Sequence, residues 1–269
     1  MGPKLILVGC GKMGGAMLTG WLDRGIVGDV VVVEPDAGSF APFRDRKNVY
    51  HAKSIDAITE HFTPDIVVFA VKPQAMDDVV PPYKRFNRPT TAFLSIAAGT
   101  PVRYFEERLG RAAIVRAMPN TPAAVGRGMT VLYSNASITP DQMAVCQSLM
   151  DAVGETAWIG DETLMDAVTA VSGSGPAYVF LLIECLEQAA VQAGLPKALA
   201  AQLARTTVAG AGELARQSSD EAAVLRRNVT SPGGTTAAAL EVLMAENGLQ
   251  DLMNSAVAAA ARRSRELAS

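Results

Sequence analysis

The chain has 269 residues, 49% of them hydrophobic, with 24 basic and 27 acidic side chains and a net charge of -3 at pH 7. That length and apolar content suit one large or two ordinary domains with a buried core. The two charge signs are intermixed without long runs, which argues against a DNA- or RNA-binding surface. Three widely spaced cysteines, Cys10, Cys146 and Cys185, form no C-x-x-C pair. Such usage fits a reduced, cytoplasmic protein with no disulfide framework and no zinc site. The first apolar stretch is broken by Gly9 and Gly11, so no signal peptide, membrane span or membrane partner is expected.

A short apolar run ending at Val8 leads at once into Gly9-Cys10-Gly11-Lys12-Met13-Gly14, where a helical pattern begins with Met13, Ala16, Met17 and Trp21. Strand, glycine turn and helix in that order mark a dinucleotide site. Gly9 permits the tight turn, Gly11 removes a side chain from the path of a diphosphate, and Gly14 lets the helix lie close to the sheet. The N–H groups of the helix start, from Lys12 and Met13 onward, face the anion. A second apolar strand, Val30 to Glu34, ends on the acidic residue expected about twenty positions further on. A carboxylate there accepts hydrogen bonds from the adenosine ribose and repels a 2′-phosphate, so NAD(H) is favoured and NADP(H) is the alternative.

Strands then recur at Val49 to His51, Ile66 to Ala70, Thr91 to Ser95, Ala113 to Arg116, Met129 to Tyr133 and Thr156 to Ile159, with helical stretches between the earlier ones. The pattern is that of a doubly wound α/β sheet. Ligands of such sheets lie outside the carboxyl ends of the strands. This places Ala70-Val71-Lys72-Pro73, Ala97-Ala98-Gly99 and Met118-Pro119-Asn120 beside the cofactor, with room for a nicotinamide over the small residues and Asn120 or a backbone carbonyl to hold its carboxamide. Lys72 also has a plain reading as a strand-end side chain reaching solvent. His51 and His61 read as surface or loop residues.

Past Asp161 the strand signal disappears, which divides the chain into an α/β domain over residues 1–160 and an all-α domain over 161–269. Helices are expected at Glu162 to Val171, Ala177 to Ala193, Ala198 to Gln217, Asp220 to Arg227, Thr235 to Glu246 and Leu249 to Leu267, separated by glycine and proline signals. The helix from Ala177 is apolar around most of its circumference, with Glu184, Glu187, Gln188 and Gln192 on one stripe, so a homodimer interface is its natural cover. Before the helix at Thr235, the segment Thr230-Ser231-Pro232-Gly233-Gly234-Thr235-Thr236 offers hydroxyls, two glycines and a helix start, a set of donors fit for a substrate carboxylate. The small-residue turn containing Ser174 forms the other wall.

Taken together, Gly9 to Gly14, Ala70-Val71-Lys72-Pro73, Ser95 to Gly99, Arg116 to Pro122, Ser172 to Tyr178 and Val229 to Thr236 resemble the pyrroline-5-carboxylate reductases, in the family's order and over nearly the whole chain. The resemblance implies a Rossmann-type domain followed by an all-α dimerisation domain, an active site between them, and frequent assembly of dimers into a decamer. It implies NAD(P)H-dependent reduction of a cyclic imino acid to proline. It further implies that Ser231, Gly233, Gly234 and Thr236 hold the substrate, while Ala97 and Met118 lie near the nicotinamide. Glu34-Pro35-Asp36 departs from the family's usual Ser, or Asn-Arg, at this point, and so bears on NADPH use. Two other readings remain at this stage: a β-hydroxyacid dehydrogenase, which needs a lysine in its helical half, where Lys197 is the only one, and a non-catalytic dinucleotide sensor.

Overall fold

The computed structural model describes residues 2–268. Eight strands run β1 (Leu5–Val8), β2 (Val30–Val33), β3 (Val49–Ala52), β4 (Ile66–Phe69), β5 (Ala92–Ser95), β6 (Ala113–Met118), β7 (Gly128–Ser134) and β8 (Gly154–Trp158). They form one sheet in the order β3-β2-β1-β4-β5-β6-β7-β8. Every neighbouring pair is parallel except β6 with β7. All eight expected strands are present, with ends within two residues of those expected. Strand order reverses between β1 and β4, so the glycine turn after β1 opens into the crevice where a doubly wound sheet takes its ligand.

The continuous apolar runs reflect burial of both sheet faces. Leu5, Leu7, Val30, Val32 and Val68 face one layer, which includes Met17, Trp21 and Leu149. Ile6, Val8, Val31, Val33 and Phe69 face the other, with Phe105 and Tyr83. Along each strand neighbours alternate between layers, as the two-residue pleat requires. Helices α1 (Lys12–Asp23), α2 (Ala37–Phe40), α3 (Met76–Val79), α4 (Val102–Leu109) and α5 (Pro140–Asp151) connect the strands. The fully buried Trp21 of α1 donates its indole N–H to the Leu149 carbonyl of α5 at 2.7 Å, joining two helices 128 positions apart on one face.

Beyond β8 the expected helix at Glu162 to Val171 is instead a 3-10 turn (Glu162–Leu164), a short helix α6 (Met165–Val168) and a π-helical turn (Thr169–Gly173). The Thr169 hydroxyl donates to the Met165 carbonyl at 2.8 Å within this stretch, and such back-bonding competes with regular helical pairing. Then come α7 (Gly175–Gln192), α8 (Lys197–Gln217), α9 (Ala222–Asn228), α10 (Thr235–Leu243) and α11 (Leu249–Ala268). By Cα packing the chain forms two compact units, Met1–Gly173 with Ala261–Ser269, and Ser174–Ala260. The sequence-based boundary fell at 160. Packing also groups residues 161–173 and the last turns of α11 with the sheet.

Helix α7 has no buried residue. Phe180, Leu181 and Leu182 are about half exposed, and the helical run Glu162–Gln192 is long and apolar enough to span a membrane by length and composition alone. Between α7 and α8 lies a groove of about 680 Å³ lined by Phe180, Ile183, Val208 and Gly212, with Glu187 and Arg205 at its polar side.

Candidate active site

The turn after β1 is built by three glycines with three separate reasons. Gly9 has φ +92°, and a Cβ there would stand 2.8 Å from the Ala70 carbonyl oxygen. A Cβ on Gly14 would collide with the Gly9 carbonyl oxygen, whereas one on Gly11 would meet nothing within 4 Å. The first two are therefore demanded by the fold. Gly11 faces open space, which leaves room for a diphosphate. Gly11 caps α1 without a side-chain bond, and no acidic residue stands in that first turn, so the N–H groups and positive end of the helix remain available to an anion. Lys12 is exposed and Met13 half-buried at this end of α1. These features fit a dinucleotide pyrophosphate.

Glu34, just past β2, is held on several sides. Its carboxylate accepts the Cys10 N–H at 2.8 Å and the Asp36 N–H at 3.0 Å. The ring Nε2 of His51 lies 2.7 Å from the Glu34 carbonyl oxygen; a carbonyl only accepts, so this nitrogen carries the proton. His51 also stacks on Phe40 with ring centroids 4.4 Å apart. The expectation of a surface or loop role for His51 is corrected: it is half-buried and braces Glu34. Each carboxylate oxygen of Glu34 keeps a second lone pair for a ribose hydroxyl. Asp36 caps α2, and hydrogen bonds from the Ser39 hydroxyl and the Gly38 and Ser39 amides hold its carboxyl below the usual range. Arg46 is paired with Asp23 at 3.3 Å. Burial, with Glu34 nearby, pushes the Cys10 thiol up to about 11, so it is a protonated filler at neutral pH and no thiolate nucleophile.

Ala70 and Val71 are half-buried beyond β4, and Lys72 and Pro73 are exposed. After β5, Ala97 is buried, Ala98 half-buried, and Gly99 turns at φ +72°, where a Cβ would lie 3.3 Å from Leu267 Cβ. After β6, a Cβ at Gly173 would run into Met118 Cε. A larger residue at 173 would make the flexible end of Met118 shift, a proximity invisible in the sequence. The side chain of Asn120 is engaged at both ends: Oδ1 accepts the Met129 N–H at 2.9 Å, and Nδ2 lies 3.3 Å from both the Ser172 carbonyl and the Ser172 hydroxyl.

Ser174 and the segment Ser231 to Thr236 belong to the second unit, apart in chain grouping from the residues above. Gly233 takes φ +68°, and the Gly234 N–H donates to the Ser231 carbonyl at 3.0 Å, closing a tight turn onto α10. Gly234 caps α10, with no side-chain cap bond. The Thr230 hydroxyl donates back to the Arg226 carbonyl at 2.7 Å, leaving Ser231, Thr235 and Thr236 as the hydroxyls around an uncapped helix start. Lys197 is exposed at the first position of α8, unlike a buried acid.

Fold and turn define a Rossmann-type pyridine-dinucleotide oxidoreductase. The profile described as pyrroline-5-carboxylate reductase dimerisation matches residues 162–267, and one described as NADP oxidoreductase, coenzyme F420-dependent, matches residues 4–99. The chain is 38% identical to a pyrroline-5-carboxylate reductase of Pseudomonas aeruginosa over 99% of its own length and 97% of the relative's. A second reductase of that name, from Synechocystis, is 46% identical over 76% of this chain and 75% of its own. The solved reductase of Coxiella burnetii superposes with a TM-score of 0.91 at 34% identity, covering all of both chains. That of Plasmodium falciparum, solved with NADP bound, does so with 0.82 at 31% identity over 99% of this chain and 98% of that one. The chain belongs to the pyrroline-5-carboxylate reductase family.

Proposed function

We propose that this chain reduces 1-pyrroline-5-carboxylate to L-proline, the last step of proline biosynthesis, as a soluble cytoplasmic enzyme that prefers NADH to NADPH. The observation that carries the substrate assignment is the uncapped start of α10 behind Ser231, Gly233 and Gly234, a set of main-chain donors and hydroxyls suited to a small carboxylate. Gly9, Gly11, Lys12, Met13 and Gly14 hold the pyrophosphate, with Ala70, Val71, Lys72 and Pro73 along the neighbouring strand end. Ala97, Ala98, Gly99 and Met118 enclose the nicotinamide. With the Asn120 amide engaged by Met129 and Ser172, backbone carbonyls hold the carboxamide and Asn120 sets the loop that presents them.

The reduced nicotinamide supplies a hydride. The chain's own residues bind and orient. A cyclic imine enters protonated on nitrogen and leaves as an amine, so the reaction needs no side chain to protonate a developing alkoxide. This agrees with a second unit that has no histidine and one exposed lysine. Thr235 and Thr236 and the amides of the α10 start hold the carboxylate, Thr236 orients the nitrogen, and Ser174 lines the other wall, so catalysis rests on geometry and fixed dipoles. Purified protein given pyrroline-5-carboxylate and NADH should consume the nicotinamide absorbance and release proline. Nucleotide binding without oxidation would reduce it to a sensor.

The preference for NADH follows from Glu34, whose fixed negative charge opposes a 2′-phosphate, with the charged Asp36 two residues on. Glu34→Gln, which keeps an acceptor but loses the charge, should move the NADH to NADPH ratio of kcat/KM toward NADPH on the order of tenfold, the scale of a charge-assisted bond lost and a repulsion relieved. An unchanged ratio would assign cofactor choice elsewhere.

The exposed face of α7 and the groove beside α8 belong to a homodimer rather than to lipid, since the dimerisation profile runs over all of α7 and α8; five such dimers make the decamer that the resemblance implies. Light scattering at micromolar concentration should report at least a dimer, and Leu181→Asp should break it. A monomer in the unaltered protein would overturn this assembly.

A further inference from the structure

The loop after β5, residues 96–101, carries the small residues assigned above to the nicotinamide, and its far end is tied down from outside the sheet. Glu162 Oε1 accepts the N–H of Val102, the first residue of α4, at 2.8 Å. The same oxygen accepts Arg116 Nη1 at 3.0 Å. The Arg116 side chain is only 7% exposed, on the strand whose last residue is Met118. One carboxylate thus joins the end of the Ala97 loop to the strand that ends at Met118. An arginine stays charged at any working pH, and well-packed apolar residues in place of a buried ion pair are often at least as stable. Stability alone is a poor reason for this pair.

We infer that Arg116 and Glu162 are a positioning pair that sets the distance between the two walls of the nicotinamide pocket, the Ala97 loop and Met118. The inference rests on the cofactor placement proposed above. Neither residue is among those assigned above to substrate or cofactor. Both act through the loop and the strand they join.

Glu162→Ala should lower kcat on the order of tenfold to a hundredfold, as expected when a misplaced ring disturbs the approach of reacting atoms. NADH affinity, dominated by the pyrophosphate turn, should stay within a few-fold. With NADH deuterated at the transferred position, the isotope effect on kcat should rise, because hydride transfer becomes limiting. Glu162→Gln, which keeps an acceptor oxygen, should recover most of the lost rate. Val102→Pro provides a second route: it removes the tethering N–H and leaves the ion pair, at a first helical position that tolerates proline. It should reproduce the loss of kcat. A lower melting temperature with wild-type kcat and isotope effect in the folded Glu162 and Val102 variants would make the pair a structural brace only. If the unaltered protein fails to oxidise NADH with the imine, the functional reading falls and this inference with it; if it is active and the variants match it, only the inference falls.

Discussion

Alanine in place of Gly14 is expected to abolish useful binding of the dinucleotide. The added methyl would occupy the position of the Gly9 carbonyl oxygen, and that atom is backbone, so the turn itself must move. Gly9 already sits at φ +92° with the Ala70 carbonyl close behind it, which blocks the obvious direction of retreat. Displacing such a backbone costs about 1–3 kcal/mol, and NADH affinity should fall by at least the corresponding factor of roughly ten to a hundred. Fluorescence titration with NADH checks the affinity and a thermal melt checks the fold. Gly11→Ala provides the contrast, since its methyl meets open space: stability should hold while affinity drops. Equal behaviour of the two variants in both measurements would show that the glycines do not divide the work this way.

Thr236→Ala should depress turnover while sparing the cofactor. Thr236 is the second residue of α10, half-buried, in a helix start that has no side-chain cap. Losing one preorganised donor of this kind costs about 2.7–4 kcal/mol in other enzymes, which is roughly a hundredfold to a thousandfold in kcat. The NADH dissociation constant should be unchanged, because the residues proposed to hold the nucleotide belong to the sheet unit. Steady-state kinetics with the imine varied, beside a direct NADH titration, separates the two quantities. Comparable losses in both would remove Thr236 from the role of orienting the substrate.

The strands were legible because both faces of this sheet are buried: runs such as Val30 to Val33 are apolar at every position, and few other environments ask for that. The glycine turn and the carboxylate of Glu34 lie where the local spacing places them, directly after β1 and β2. What stayed hidden is long-range. Nothing near Glu162 in sequence indicates a partner at Arg116, and nothing near Asn120 indicates Met129 and Ser172 as the takers of its amide. Gly173 looked like one more small residue in a turn until Met118 was found against it. The break-up of the stretch after Asp161 into a 3-10 turn, a short helix and a π-helical turn was likewise beyond periodicity, because the pieces are only 3, 4 and 5 residues long.

The return of the chain to its first unit has a consequence for biosynthesis. The sheet is fully synthesised once Trp158 has been added, yet Gly99 rests against Leu267, and the Ser264 hydroxyl donates to Asp166 at 2.6 Å. A nascent chain emerging from the ribosome therefore lacks the last support of the loop after β5 until some hundred further residues have followed. The packing of that loop is completed late in translation, after α7 and α8 have been added.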